Sequence, residues 1–365
     1  MNKLIMSLFL SLAFFACEEN EFKPQTIEEE IEKIAYPYLI SGDRLGIAIG
    51  TYDNGTERFY SYGVKNIKNG GSIDINTIFE IGSISKTFTA TAVASMHLNG
   101  ELNLTDEVES FFEGKVNFTE PGNRKIELLH LANHTSALPR EPNNINSQNS
   151  EQIFNDYSIN DFYDFANNYE LSRIVGSQCE YSNLGMGILG YILKEQRNTS
   201  YYELVQAEIL SKLEMNVTSL RFGDTNTDNI AFGYVGNEPK GEMEFSEVFE
   251  GAGVLVSNMS DMMKYLKAQF SDTGSLLSQA IQLTHQKTSE SDIEDNGIGL
   301  SWYLTELSDG QNIIWHNGGT IGYSSFIGFN KNTRKGVVVL MNSRNNYNTG
   351  EVNMGYEILK ALNKY

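Results

Sequence analysis

Cysteine is nearly absent from this chain, with 2 in 365 residues, so no disulfide framework stabilises the fold. Proline is scarce as well, and 6 Pro with 32 Gly at no fixed period exclude a collagen-like or Pro/Gly-biased chain. Positive charge is short: 27 Lys+Arg against 47 Asp+Glu leave a formal net charge of -20. A surface that acidic repels phosphate backbones and argues against nucleic acid as a partner. The acidity reads as a solubility feature and names no partner of its own. Beyond the first residues no apolar run is long enough to span a bilayer, and no internal repeat marks a solenoid. What is present is ordinary for a globular protein: 40% hydrophobic and 11% aromatic residues, enough for a sizeable core and too many to remain solvated. The length allows one large domain or two interleaved ones.

The start of the chain reads as a processing signal. Lys3 is a minimal positive n-region, and Leu4 to Ala16 is apolar except for Ser7 and Ser11. Cys17 follows at once, before the polar Glu18, Glu19 and Asn20. This pattern resembles a bacterial lipoprotein signal, in which cleavage before Cys17 leaves its thiol to carry a lipid. The expected organisation is a signal peptide over 1–16, a linker over 17–25 and a domain over 26–365. The product is then exported and membrane-anchored through Cys17. Cys179 remains as a lone thiol.

Along the domain, Thr26 to Glu29 form a capping-box pattern that opens a helix through Ile34 and Tyr38. Gly46 to Tyr52 and Glu57 to Tyr62 flank Asp53-Asn54-Gly55, a strong hairpin signal. Ser301 to Leu307, Asn312 to His316, Ser324 to Phe329 and Gly336 to Met341 read as strands, and Val352 to Leu362 as a closing amphipathic helix. Between the two ends, 84–98, 185–194, 202–213 and 260–270 carry helical periodicity. Pro139 to Asn168 starts as an Asn-rich irregular segment and reads as a surface excursion. The expected fold is α/β of the α+β type: one antiparallel sheet built from both termini and flanked by helices, with a mostly helical lobe between.

The most informative stretch is Phe79-Glu-Ile-Gly-Ser-Ile-Ser-Lys-Thr-Phe88. Ser83 and Lys86 are three apart and share one face of a helix that begins near Gly82. A serine hydroxyl needs a neighbour to take its proton, and a lysine with a lowered pKa can do so. Alone, Ser-x-x-Lys is frequent by chance and reads as a capping serine with a solvated lysine. Here Tyr181-Ser-Asn183 follows, ahead of a glycine-punctuated apolar helix, and His316-Asn-Gly-Gly319 lies on a strand after Trp315. In this order the three elements resemble the serine beta-lactamase and penicillin-binding protein superfamily, nearest its class C beta-lactamase and D-alanyl-D-alanine carboxypeptidase branch. Leu128-Leu-His-Leu-Ala-Asn-His-Thr-Ser-Ala-Leu-Pro139 is similar to that family's segment ending His-Thr-Ser-Gly-Leu-Pro. Gly251 to Ser257, followed by Asp261 in a helix, adds a further match.

The resemblance covers roughly Gly46 to Leu362 and implies a beta-lactamase/transpeptidase-like fold with a serine acyl-enzyme mechanism. It assigns attack to Ser83 and its activation to Lys86. Tyr181 becomes the general base, as phenolate or within a proton network shared with Lys86. Asn183 would orient Lys86 and the substrate amide, and the N–H groups of Ser83 and Gly319 would form the oxyanion hole. Gly318 and Gly319 let the substrate backbone approach the strand. His316, where many relatives carry Lys, would face a substrate carboxylate or the Tyr181 network, weakly or with pH dependence because imidazole is mostly neutral. The His-x-Gly form is closer to carboxypeptidase-like and esterase-like relatives than to dedicated class C beta-lactamases. Ala137 in place of Gly and Val175 in place of Pro are departures in loops. The implied substrates are D-amino-acid cell-wall peptides, then beta-lactams, then esters; a non-catalytic ligand-binding lipoprotein is the alternative from another class.

Other candidates read as structural. His130 and His134 lie four apart, but Leu131 stands where a zinc protease needs Glu, so no metal site is expected. His97 and His285 have no evident partners. No serine lies in a nucleophile elbow, and no Gly-rich phosphate loop is present, so no cofactor is expected. Tyr323 could line the cleft or pack in the core with equal reason.

Overall fold

The computed structural model describes residues 24–40, 46–119, 121–293, 296–308, 310–344 and 350–365. The signal segment and Cys17 lie outside the described residues. Among the described residues no helix is long and apolar enough to cross a membrane.

Helix α1 (Ile27–Ile40) begins where expected, with the Glu29 N–H donated to Thr26 Oγ1 at 3.2 Å. Strands β1 (Gly46–Asp53) and β2 (Thr56–Asn66) form the hairpin. Asn54 and Gly55 both take positive φ, the geometry that suits the right-handed twist of a two-residue hairpin. After β3 (Gly70–Ser72) and β4 (Ile78–Glu80), the chain enters α2 (Ser85–Leu98), α3 (Leu128–Ala132), α4 (Ile159–Asn168), α5 (Asn183–Arg197) and α6 (Tyr201–Val205). Strands β5 (Gly233–Val235) and β6 (Glu238–Lys240) follow, then α7 (Glu250–Gly253), β7 (Val256–Asn258), α8 (Met259–Ala268) and α9 (Leu276–Thr284). The chain closes with β8 (Ser289–Glu290), β9 (Gly297–Ile298), β10 (Tyr303–Glu306), β11 (Asn312–Gly319), β12 (Ser324–Asn330), β13 (Lys335–Met341) and α10 (Gly350–Lys364).

The main sheet has the order β3-β2-β1-β13-β12-β11-β10-β9-β8, so the two ends of the chain meet where β1 pairs antiparallel with β13. Strand alternation divides the apolar side chains between two cores. Ile47, Ile49, Val337, Val339 and Met341 pack with Ile31 of α1 and Ile358 of α10. Ala48, Val338 and Leu340 face the helical side with α2, α5 and α8. Both faces of these strands are therefore covered, which explains their near-continuous apolar sequence.

Helix α2 is buried from Ser85 to Met96 on every side. Its hydroxyl groups are tolerated there because each finds a partner: Thr87 Oγ1 donates to Ile84 O at 2.7 Å, Thr89 Oγ1 donates to Gly251 O at 2.8 Å, and Ser85 Oγ accepts the Leu255 N–H at 3.0 Å. The helical pattern over 202–213 is broken, since α6 gives way to a π-turn over Gln206–Leu210. The Asn-rich excursion is irregular only at first. From Ser158, which accepts the Asp161 N–H, it becomes the regular helix α4. The pattern reading also passed over α9 and the short strands β4 and β7.

Candidate active site

Ser83 sits in a single 3-10 turn, Gly82–Ile84, that runs directly into α2. Gly82 has φ +51°, a left-handed conformation suited to glycine, and a Cβ there would lie 2.7 Å from Gly319 N. The turn is thus pressed against the end of β11. Lys86 projects from the same face of the helix, fully buried, and donates to Ser83 Oγ at 3.0 Å and to Ala252 O at 2.5 Å. Burial and the nearby Arg140 guanidinium hold its pKa well below the ordinary lysine range, against the opposing pull of Glu141. A shift in that direction favours the free amine, the form that can accept the Ser83 proton.

Tyr181 is delivered by the start of α5. Ser182 Oγ accepts the Gly185 N–H at 2.9 Å, and Arg140 O accepts the N–H groups of Asn183 and Leu184. The Tyr181 side chain is hydrogen-bonded to Ser83, and burial pushes its pKa up to about 12. At neutral pH it is a phenol, so the network arm of the expectation fits this geometry and the phenolate arm does not. Its ring centroid lies 4.8 Å from Lys86 Nζ and 4.7 Å from the Arg140 guanidinium carbon. Asn183, expected to orient Lys86, instead donates its amide to Glu141 Oε1 at 2.8 Å.

The third wall is β11. Its pairing with β10 ends at Trp315, while its pairing with β12 continues to Gly319. Residues 316–319 therefore turn an edge without a strand partner toward the Ser83 turn. A Cβ on Gly318 would meet Ile81 O at 2.0 Å, so only glycine allows the approach there, whereas one on Gly319 would meet the end of the Arg344 side chain at 2.6 Å, which can move aside. His316 is buried, its Nδ1 is 2.6 Å from Asn317 O, and burial with nearby Lys86 lowers its pKa to about 3. It is neutral throughout the physiological range and cannot offer a substrate carboxylate a cation. The expected pH-dependent recognition through its titration therefore has no basis here.

A nucleophile paired with a buried amine, a phenol hydrogen-bonded to that nucleophile and an open glycine strand edge form a serine acyl-transfer constellation. A family model described as Beta-lactamase matches residues 25–361. The chain belongs to the beta-lactamase family. It is 23% identical over 397 residues to a beta-lactamase of Yersinia enterocolitica, covering 99% of this chain and 98% of that one. It is 24% identical to a beta-lactamase of Psychrobacter immobilis, with 99% and 94% covered. The fold is shared with a solved beta-lactamase/D-alanine carboxypeptidase from Pseudomonas syringae, with a TM-score of 0.78, 22% identity, and 92% of this chain and 98% of that chain covered. A class C beta-lactamase in complex with cefoxitin matches with the same TM-score, identity and coverage. This beta-lactamase-family chain is a serine hydrolase with a mixed α/β fold, an antiparallel sheet flanked by helices.

Several residues of this beta-lactamase-family site escaped the sequence reading. Arg140 and Glu141 follow directly on the Thr-Ser-Ala-Leu-Pro segment, and two charges after so apolar a stretch were the available signal. Asp292 accepts the Tyr181 N–H at 3.3 Å, and Arg344 donates to Thr320 O at 2.6 Å. The two motif histidines have separate fates. His130 caps α3, accepting the Glu127 N–H at 3.0 Å and packing on Arg124, whereas His134 lies against Tyr181 with ring centroids 4.6 Å apart. Among the described residues no cluster of His, Cys, Asp or Glu could hold a metal. His285 is a core residue bonded to Gln269, and Tyr323 is a packing residue whose hydroxyl donates to Ala231 O at 2.7 Å.

Proposed function

We propose that this hydrolase forms an acyl-enzyme on Ser83 and cleaves amide bonds of peptides ending in D-amino acids, as a carboxypeptidase does. The observation that carries the reading is the 3.0 Å contact between Ser83 Oγ and the buried Lys86 amine. Ser83 Oγ attacks the carbonyl as its proton passes to Lys86. The C–N bond then breaks, and the proton returns through the Tyr181 hydroxyl to the leaving nitrogen. Water repeats the attack on the ester and frees Ser83. The N–H groups of Ser83 and Gly319 would hold the oxyanion, and one such donor is typically worth about 3 kcal/mol. Neutral His316 offers no cation to the carboxylate that a D-amino-acid terminus and a beta-lactam both carry, so that carboxylate must be met by another group, and Arg344, beside Gly319, is the nearest candidate.

Hydrolysis of beta-lactams is the second reading, supported by the names of the relatives and by the cefoxitin complex of a structural neighbour. The N-terminal pattern supports export, with a lipid on Cys17 holding the enzyme at a membrane. One experiment addresses these points. Cells are treated with a labelled penicillin or fluorophosphonate, fractionated, and the adduct is mapped by mass spectrometry. The expected result is label on Ser83 in the detergent-extractable membrane fraction, none on a Ser83→Ala chain, and D-alanyl peptide turnover with nitrocefin stopping after one equivalent. Sustained nitrocefin turnover makes it a lactamase, and ester turnover alone an esterase. Absence of label ends the acyl-enzyme reading, and a freely soluble adduct ends the lipid anchor.

A further inference from the structure

Of the five histidines, one is built into the catalytic loop with no part in the mechanism above. We propose that His134 is a positioning residue for Tyr181, gripping the peptide groups on both sides of it and laying a neutral imidazole against its ring. The role rests on the acyl-enzyme reading of Ser83.

The grip is double. His134 O accepts the Glu180 N–H at 2.8 Å, and His134 Nδ1 accepts the Ser182 N–H at 3.2 Å. The Tyr181 N–H between them goes to Asp292 at 3.3 Å, so three successive amides are tied at the place from which the phenol reaches Ser83. The backbone of His134 is in the left-handed region, at φ +61°, and the residue is buried. That conformation is strained for a residue with a Cβ, and such strain collects where a side chain must be delivered to one place.

The bonds also fix the protons. Because Nδ1 accepts, the proton of neutral His134 is on Nε2, which is buried without a hydrogen-bond partner among the described residues. Across the site, His316 donates from Nδ1 to Asn317 O, which leaves its own buried Nε2 a bare acceptor. The two rings flank Tyr181, with centroids 4.6 and 6.3 Å from that of the phenol. The charged and titratable groups facing His134 are Lys86 from α2, His316 from β11 and Arg140 from the loop between α3 and α4. Burial first, and then all three of these groups, oppose a second proton on the ring and hold its pKa well below the ordinary range.

The test uses the full chain and a fluorophosphonate probe, reading the rate of Ser83 labelling from pH 5 to 9. His134→Ala is expected to lower that rate on the order of 10²-fold, the scale of a misplacement of about an ångström. His134→Asn, whose amide oxygen can still take the Ser182 N–H and whose backbone tolerates positive φ, should recover part of the loss. In a Tyr181→Phe background His134→Ala should cost nothing more, because it acts through the phenol. Equal losses in both backgrounds, or no loss in either, overturn the proposal. If the variants fail to fold, nitrogen-15 spectra of the wild type decide. They should show His134 as the Nε2–H tautomer without titration from pH 5 to 8, and an Nδ1–H or titrating ring overturns the grip. If wild-type Ser83 is not labelled at all, the acyl-enzyme reading falls by itself and the same spectra still decide the geometry around His134.

Discussion

Ala137 stands where the resembling family has glycine, and the structure shows what that substitution does. Its φ is +63° in a buried turn, a left-handed conformation that costs an L-residue about 1–2 kcal/mol. Glycine removes that strain but gives the unfolded chain more freedom, worth about 0.4–1 kcal/mol in the other direction. Ala137→Gly should therefore stabilise the protein by roughly 0.5–1 kcal/mol, by the difference of those two terms. Urea unfolding would show a higher midpoint at unchanged slope, and a lower midpoint means that the turn is not strained by the methyl group. At this scale, what was legible was local. Ser83 and Lys86 are brought together by local spacing, so a tetrapeptide contains them both, and the Tyr181 and His316 motifs single that tetrapeptide out. His134, Arg140 and Glu141 reach Tyr181 from the loop after α3 and Asp292 from the loop between β8 and β9, all far from it in the chain, and no local spacing announces that meeting.

At the scale of elements, the strands of both termini were readable because short runs rich in β-branched and aromatic residues are bounded by turns that carry Asn-Gly or Asn-Lys-Asn-Thr. Helices α4 and α9 were hidden for a different reason. Each starts at a serine that accepts the N–H three residues on, Ser158 for Asp161 and Ser275 for Ser278, inside polar stretches whose composition suggests a loop. The element that matters most for chemistry is β11, which runs past its expected end at His316 to Gly319. Its last residues lose β10 as a partner and are pressed onto the Ser83 turn, with the Gly318 Cα packed under Ile81 O. Ser325 Oγ, which donates to the same Ile81 O at 2.8 Å, locks the contact from β12. Gly318→Ala puts a methyl 2.0 Å from that carbonyl and must push strand and turn apart. The expected result is a loss of Ser83 labelling on the order of 10²-fold, from displacement of the strand edge and not from any change in the nucleophile. Labelling at the wild-type rate would mean that the edge takes no part in the reaction.

For the whole molecule, acidity is a matter of where the carboxyl groups are buried as well as how many there are. Glu80 lies on β4, just before the catalytic turn, with Oε1 accepting the Met243 N–H at 2.7 Å and the Thr320 hydroxyl beside its carboxyl. Burial raises its pKa from the ordinary 4.5 to about 8. The folded state then holds a proton that the unfolded chain releases, so this group costs up to about 1.4 kcal/mol of stability per pH unit as pH rises from 4.5 to 8. Glu250, raised to about 7 by burial, works in the same direction. His316 works in the opposite one. With a folded pKa of about 3 against an ordinary 6.5, its contribution is complete above 6.5 and is lost as pH falls toward 3. His130, lowered to about 4, adds to that loss. Below pH 6.5 the carboxyl groups are opposed by these histidines together with His134 and His285, which burial also holds well below the ordinary range, and above 6.5 they are opposed by Lys86, whose lowered pKa makes stability rise with pH. Glu80→Gln keeps the shape of the protonated carboxyl and removes its titration. It should match the wild type near pH 4.5 and gain over it steadily up to pH 8, read as urea midpoints at pH 5, 6.5 and 8. Parallel curves for the two proteins would mean that Glu80 titrates alike in the folded and unfolded chains, and that the buried carboxyl just before the Ser83 turn does not shape the alkaline side of the stability profile.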